Sequence, residues 1–250
     1  MTTETTHQLI EARRLHRPAL AASSCPPDLQ AAYAVQDEVA RALGWFTAGS
    51  ARYWKSGGPS RDTELTHASL PPQGVWNSPA VAGDWPFNFR DIEAEIALRL
   101  SCDVDSALAS TLDLTQAQAL IDSMCVSIEI VDSRWIEKLE APICAKLADL
   151  QSHGALVLGS WVPFTARDWR EQVCHTQIGQ QLPVERRGGH TLSDPSFVLP
   201  AWLRHATRHG QTVPAGTVVT TGSWVGILHA EAGDLVTVEF PGIGGASVQL

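Results

Sequence analysis

Three glutamates carry the densest chemistry in this chain of 250 residues. Glu93 and Glu95 stand two apart in the run Ile92-Glu93-Ala94-Glu95-Ile96-Ala97-Leu98. A strand repeats every two residues, so both carboxylates fall on one face, their Cα atoms roughly 6.6 Å apart. Ile92, Ala94, Ile96 and Leu98 take the other face. Glu129 alternates in the same way within Cys125 to Val131, against Val126, Ile128 and Ile130. Like charges so close are costly unless water bathes them or a cation sits between them. If the two strands lie close, Glu129 supplies a third donor, and three carboxylates with no cysteine or histidine beside them suit a hard divalent ion, Mg²⁺ or Mn²⁺, rather than zinc. Alternating glutamate is also what a half-exposed strand with one wet face displays, and spacing alone favours that plainer reading.

The elements that must hold these side chains can be read in outline. Thr6 caps a helix carrying Leu9, Ile10 and Ala12 that stops before Pro18. Asp28, after Pro26-Pro27, caps a second helix through Ala32, Val35, Val39 and Leu43 to Gly44. From Tyr53 to Asp91 the chain reads as loop and short strand. The spacing of Ala117, Leu120, Ile121 and Met124 predicts a helix begun by Thr115 that runs into the strand at Cys125. Ala155 to Leu158 reads as a buried strand and Pro200 to His209 as a helix stopped by Gly210. Further strands are expected at Val213, Gly216 to Thr221, Ile227-Leu228, Leu235 to Phe240 and Ala246 to Leu250. There is no internal repeat and no clear linker. The expected organisation is a helical N-terminal segment, 1–75, and a β-rich catalytic domain, 76–250, compatible with one structural unit.

Composition narrows the classes of function. An apolar fraction of 44% supplies a core, and a net charge of −9 with only the isolated pairs Arg13-Arg14 and Arg186-Arg187 argues against nucleic acid. Five scattered cysteines without a C-x-x-C favour reduced thiols over a disulfide framework. No run approaches the roughly 18–20 apolar residues of a membrane span. Met1 to Arg14 has no apolar signal segment, so the cytoplasm is the expected location.

Taken in order, the landmarks resemble the 2-keto-4-pentenoate hydratase and 4-oxalocrotonate decarboxylase branch of the fumarylacetoacetate hydrolase superfamily. They are Gln8 to Leu20, Ala31 to Gly44, Trp54 to Gly57, Ile92 to Leu100, Ser127 to Trp135, Ala148 to Gly159, Thr220 to Gly226 and Ala232 to Leu250. The resemblance implies an α+β fold, a mixed β-sandwich roll with a smaller helical N-terminal part. It implies a divalent ion on Glu93, Glu95 and Glu129, and matches the family's lysine to Lys55, its acidic residue to Asp149 and its T-G-S serine to Ser223. Lys55 and Asp149 are then the expected catalytic residues, with Lys55 countering the substrate carboxylate or moving a proton, and Ser223 the expected substrate contact.

The implied activity is hydration of a short 2-hydroxy-2,4-dienoate to a 4-hydroxy-2-oxo acid, in aromatic-compound catabolism. The alternatives are decarboxylation of an oxalocrotonate-like diacid, carbon–carbon hydrolysis of an acylpyruvate, or a non-catalytic 2-oxo-acid binder. A homo-oligomer is expected, since an apolar sheet edge gains from being covered. Without the resemblance, Lys55 reads as a surface cation, Asp149 as a turn cap and Ser223 as a small turn residue. Asp132 and Arg134 read as a structural ion pair, and His67 and His153 as solvated loop residues. Lys55-Ser56-Gly57-Gly58-Pro59, Asp149-Leu150 and Trp202-Leu203-Arg204-His205 depart from the family texture, so the metal chemistry and the substrate need not have been kept together.

Overall fold

The computed structural model describes residues 3–46 and 49–250. Helices α1 (Glu4–Leu15) and α2 (Leu29–Leu43) come first. Strands β1 (Tyr53–Gly57), β2 (Thr66–Ser69), β3 (Val75–Asn77), β4 (Ala80–Val81) and β5 (Arg90–Leu100) follow. Short helices α3 (Ser106–Thr111) and α4 (Leu114–Gln118) lead to β6 (Ile121–Val131), α5 (Ile143–Ala148) and β7 (His153–Leu158). The remainder comprises β8 (Val162–Pro163), β9 (Val173–Ile178), β10 (Val184–Arg187), α6 (Leu199–Ala206), β11 (Val218–Thr220), β12 (Leu228–Ala230), β13 (Leu235–Phe240) and β14 (Gly244–Gln249).

The strands form two mixed sheets, as the α+β expectation requires. The larger runs β2-β1-β11-β5-β6-β7-β3, with β12 beside β5 and β8 beside β6; the smaller runs β10-β9-β13-β14-β4. The larger sheet therefore draws strands from both sides of residue 75. One face of it carries Ile92, Ala94, Ile96, Val126, Ile128 and Ile130, all buried against Val236, Val238, Phe240 and Val248 of the smaller sheet. This apolar slab is the main core, and its burial is the dominant force closing the roll. On the other face, α1, α2 and α5 share a second core of Leu9, Ile10, Val35, Val39, Trp135 and Leu147.

The predicted helix over 115–124 is shorter than its spacing implied. Asp113 and Gln116 form a capping box that starts α4, but α4 ends at Gln118. Ile121 and Met124 instead enter β6, opposite Leu100 and Leu98 of β5, where cross-strand hydrogen bonding and burial on the sheet outweigh local helical spacing. The first helix is capped by Thr3 rather than Thr6, whose hydroxyl donates to Glu38 at 2.8 Å. Strands β9 and β10 occupy a stretch that carries no sequence expectation. β10 exposes most of its length, so no alternation marks it.

Just past the end of β7 the two sheets come close together. A Cβ on Gly159 would lie 2.5 Å from the Gly245 carbonyl oxygen and 3.0 Å from that of Val126, both backbone atoms that cannot swing aside. Gly159→Ala is therefore expected to lower stability by about 1–3 kcal/mol through overpacking, measured by urea unfolding.

Candidate metal centre

Sheet register brings the three glutamates together. In the antiparallel pair of β5 and β6, Glu93 lies directly opposite Glu129 and Glu95 opposite Ser127. Opposed residues on one face approach within about 5.5 Å at Cα, so Glu93 and Glu129 meet head-on and Glu95 reaches Glu129 on the diagonal. One carboxylate oxygen from each of the three lies within 4.8 Å of the others. Glu95 and Glu129 are buried and Glu93 is half-buried, so water does not dilute their repulsion as a wet strand face would.

Neighbouring strands supply partial compensation. β1 pairs with β11, setting Lys55 beside Thr220. The Lys55 ammonium donates to Glu129 Oε1 at 2.6 Å and to the Gln151 carbonyl at 3.2 Å. His153, the first residue of β7, shares Glu129 Oε1 through its Nδ1 at 2.9 Å. Thr220 donates its hydroxyl to Glu95, which also accepts the Gly222 backbone N–H.

The electrostatic outcome divides the carboxylates. Burial raises the Glu93 pKa to about 8 despite the pull of Lys55, and burial together with Glu129 raises Glu95 to about 7. Burial also works against an ionised Glu129, but Lys55 and the His153 hydrogen bond prevail and hold it below the ordinary range. Burial pulls Lys55 down while Glu129, Glu93 and Glu95 more than offset it, so its pKa ends raised. With the three carboxylates free of a cation, its surroundings favour the ammonium form. One ammonium faces three carboxylates, and Glu129 Oε2 is buried without any hydrogen-bond partner. An all-oxygen donor set with surplus negative charge and an unpaired carboxylate oxygen fits a hard divalent cation.

The cluster opens into a cavity of about 660 Å³. Leu29, Val131, Leu139, Ile143, Leu147 and Ile227 give it apolar walls, and Thr66, Gln151, Ser152, Thr220 and Ser223 add polar ones. Ser223 therefore lines the cavity, and its hydroxyl donates to the Gly226 carbonyl at 2.6 Å and shapes the turn.

Asp149 is placed differently from its expected catalytic position. It is fully buried, its carboxylate takes Arg13 at 2.8 Å and the Arg134 side chain at 2.7 Å, and it is absent from the cavity wall. It also accepts the Arg134 backbone N–H at 2.8 Å, so two guanidinium groups and a peptide absorb its acceptor capacity. The expected Asp132–Arg134 pair forms at 3.3 Å as an arm of this network. His67 and His153 are buried rather than solvated, because their strands lie within the larger sheet. His67 bonds Ser56 at 2.8 Å, and burial pushes its pKa down to about 3. Thr220 and Gln151 carry no site assignment from the sequence and His153 reads there only as a solvated loop residue, although all three fall within the landmarks Ala148 to Gly159 and Thr220 to Gly226.

A rolled mixed sheet presenting three converging carboxylates to an apolar-walled cavity defines a class of protein built to hold a hard cation beside a small molecule. The family model for the fumarylacetoacetate (FAA) hydrolase C-terminal domain matches residues 49–250, and the chain belongs to that family. Curated relatives include 2-keto-4-pentenoate hydratases 1 and 2 of Dechloromonas aromatica (strain RCB), 31% identical over 159 residues and 30% over 158. Each alignment covers 62% of this chain and 58% of the relative, so the match spans under two thirds of their length. Among solved structures, 4-oxalocrotonate decarboxylase from Pseudomonas putida G7, complexed with magnesium and adipate, superposes with a TM-score of 0.83 at 20% identity, covering 98% of this chain and 95% of that one. The 2-hydroxyhepta-2,4-diene-1,7-dioate isomerase from Mycobacterium marinum gives 0.56 at 16% identity over 80% and 74%. At those identities the likeness is one of fold.

These placements have consequences for stability. Glu93 and Glu95 hold protons at higher pH when folded than when unfolded, so the folded state binds more protons above about pH 4.5 and this contribution to stability falls as pH rises toward 8. Mg²⁺ competes with those protons, so its thermal stabilisation is expected to be larger at pH 8 than at pH 6, roughly 5–10 °C when Mg²⁺ is 100-fold above its Kd. Glu93→Gln should lose most of the Mg²⁺ shift and, without metal, melt higher than the native chain at pH 8, as read by differential scanning fluorimetry. Asp149→Ala removes the carboxylate that Arg13 pairs with and leaves Arg134 with Asp132 alone, and should cost about 3–5 kcal/mol in urea unfolding.

Proposed function

We propose that the protein is a divalent-metal-dependent hydratase that adds water to a short 2-hydroxy-2,4-dienoate, 2-keto-4-pentenoate-like, and releases a 4-hydroxy-2-oxo acid in aromatic-compound catabolism. The convergence of Glu93, Glu95 and Glu129 on an apolar-walled cavity carries this reading. The similarity to 2-keto-4-pentenoate hydratases over residues that make up 62% of the chain favours hydration over the other reactions of the family.

In this reading Glu93, Glu95 and Glu129 hold Mg²⁺ or Mn²⁺. The bound ion supplies Lewis acidity toward the paired oxygens of a 2-oxo acid. The chain's own residues do the rest. Thr220 and the Gly222 N–H fix the Glu95 carboxylate, and His153 fixes Glu129, so the donors need not reorganise when a cation arrives. Lys55, held as an ammonium, keeps one N–H beyond its bonds to Glu129 and Gln151 and offers it to the substrate carboxylate. Leu139, Ile143, Leu147 and Ile227 exclude water from the hydrocarbon part of the substrate. Asp149 serves as the anchor of the turn that follows α5, and Ser223 as the brace of the turn beside Gly222.

Incubation with 2-hydroxypenta-2,4-dienoate and Mg²⁺ should consume the dienol absorbance and yield a product one water heavier. Glu95→Gln should lower kcat/KM by roughly 100-fold, and EDTA should abolish turnover until Mg²⁺ or Mn²⁺ is restored. Full turnover in metal-free buffer would sink the proposal. Carbon dioxide release would replace it with decarboxylation, and two smaller fragments with carbon–carbon hydrolysis.

A further inference from the structure

Among the described residues, three buried side-chain oxygens lack a hydrogen-bond partner: Glu129 Oε2, Gln151 Oε1 and Ser152 Oγ. All three belong to the carboxylate cluster or to the wall of its cavity. Buried oxygens are rarely left unpaired, and three together mark a place where a ligand completes the bonding. Glu129 Oε2 faces a cation's needs. The other two do not, since an amide oxygen and a hydroxyl two and three residues past Asp149 add nothing to the charge of the metal cluster.

The backbone goes to some trouble to present them. Leu150, Gln151 and Ser152 are consecutive residues with φ of 55°, 55° and 59°, a left-handed stretch that side chains disfavour. Four bonds hold it: the Arg134 N–H to the Asp149 carboxylate, the Gln151 N–H to the Lys146 carbonyl, the Ser152 N–H to the Asp149 carbonyl, and the Asp132 N–H to the Ser152 carbonyl. The result is that Gln151 accepts the Lys55 ammonium on its main-chain carbonyl and is itself one of the residues lining the cavity. Its Nε2 is pinned by donation to Thr66 Oγ1, which leaves Oε1 as a positioned acceptor.

An acceptor that cannot donate matches a ligand group that can. On the reading given under Proposed function, on which this inference rests, the carboxylate and 2-oxo oxygens of the ketonised substrate are acceptors, and the donor required at that stage is water. Asp149 is enclosed by Arg13 and Arg134, the Ser223 hydroxyl is committed to Gly226, and the Thr220 hydroxyl is committed to Glu95. We propose that Gln151, through its carboxamide oxygen and aided by the Ser152 hydroxyl, holds the water molecule that adds to the substrate. The dienol first ketonises, its hydroxyl proton leaving oxygen while C5 gains one, which leaves a C3=C4 double bond conjugated with the 2-oxo group. One O–H bond of the held water then breaks, its oxygen bonds to C4, and the proton ends on C3. The amide orients the water and takes no proton itself.

The two stages separate the test. With 2-hydroxypenta-2,4-dienoate and Mg²⁺, ketonisation is followed by loss of dienol absorbance and hydration by NMR of 4-hydroxy-2-oxopentanoate. Gln151→Leu is expected to slow hydration at least tenfold, while ketonisation and Mg²⁺-dependent oxalate binding by calorimetry stay within twofold of native. Gln151→Glu, which keeps an acceptor oxygen, is expected to hydrate faster than Gln151→Leu. Native hydration in Gln151→Leu, or a loss of ketonisation and oxalate binding in the same proportion as hydration, overturns the inference alone. A native enzyme that forms no 4-hydroxy-2-oxo acid overturns the hydratase reading and this inference with it.

Discussion

Three carboxylates meeting one ammonium on a single sheet face is the constraint around which this molecule is arranged. In water such a group would repel weakly, but here two of the three glutamates are buried, and the cost rises as the local dielectric falls. The fold answers with a lysine two strands away, a histidine on the adjoining strand and a threonine hydroxyl, each aimed at a particular oxygen. The compensation is incomplete, and that is its point. A pair of fully satisfied ion pairs would leave no affinity for a cation, whereas one ammonium against three carboxylates leaves a deficit that a divalent ion can fill.

Holding that arrangement requires support from both faces of the larger sheet. The apolar slab against the smaller sheet fixes the strands in register, and a slip of one residue would turn Glu93, Glu95 and Glu129 into the core. The opposite face relies on the helices, because Arg13 on α1 and Arg134 beyond β6 converge on Asp149. That network ties the N-terminal helix to the turn carrying Gln151, whose carbonyl steadies Lys55. A contact spanning 136 residues of sequence thereby stands behind the orientation of a side chain in the cavity.

How much of this is written locally explains what could be read before the structure. The alternation of β5 and β6 is a short-range property, so the strands and the shared face of Glu93 and Glu95 are legible in the chain. That Glu129 faces Glu93 depends on strand register, which no local pattern encodes, and only the family resemblance pointed to it. The family landmark at Asp149 marks a position that the fold uses, but its partners Arg13 and Arg134 are remote or irregular in spacing, and their presence changes what the carboxylate can do. His153 and His67 read as solvated because strand burial, not residue type, decides their surroundings. The misplaced end of α4 has the same origin: Ile121 and Met124 satisfy helical spacing by accident of two patterns meeting, and pairing with β5 decides between them.

Of the departures from family texture, Ser56-Gly57-Gly58-Pro59 lines the cavity, whereas Asp149-Leu150 and Trp202-Leu203-Arg204-His205 lie outside its wall. Leu150-Gln151 follows Asp149 directly, and the Gln151 amide lies on the same cavity wall as Thr66 and Lys55. The cluster side of the cavity, by contrast, keeps every landmark of the resemblance: the E-x-E strand, Glu129, Lys55 and the Thr220-Thr221-Gly222-Ser223 turn. The carboxylate cluster and the turn carrying Gln151 are thus separate segments of the chain, joined through the Lys55 ammonium that touches both Glu129 and Gln151.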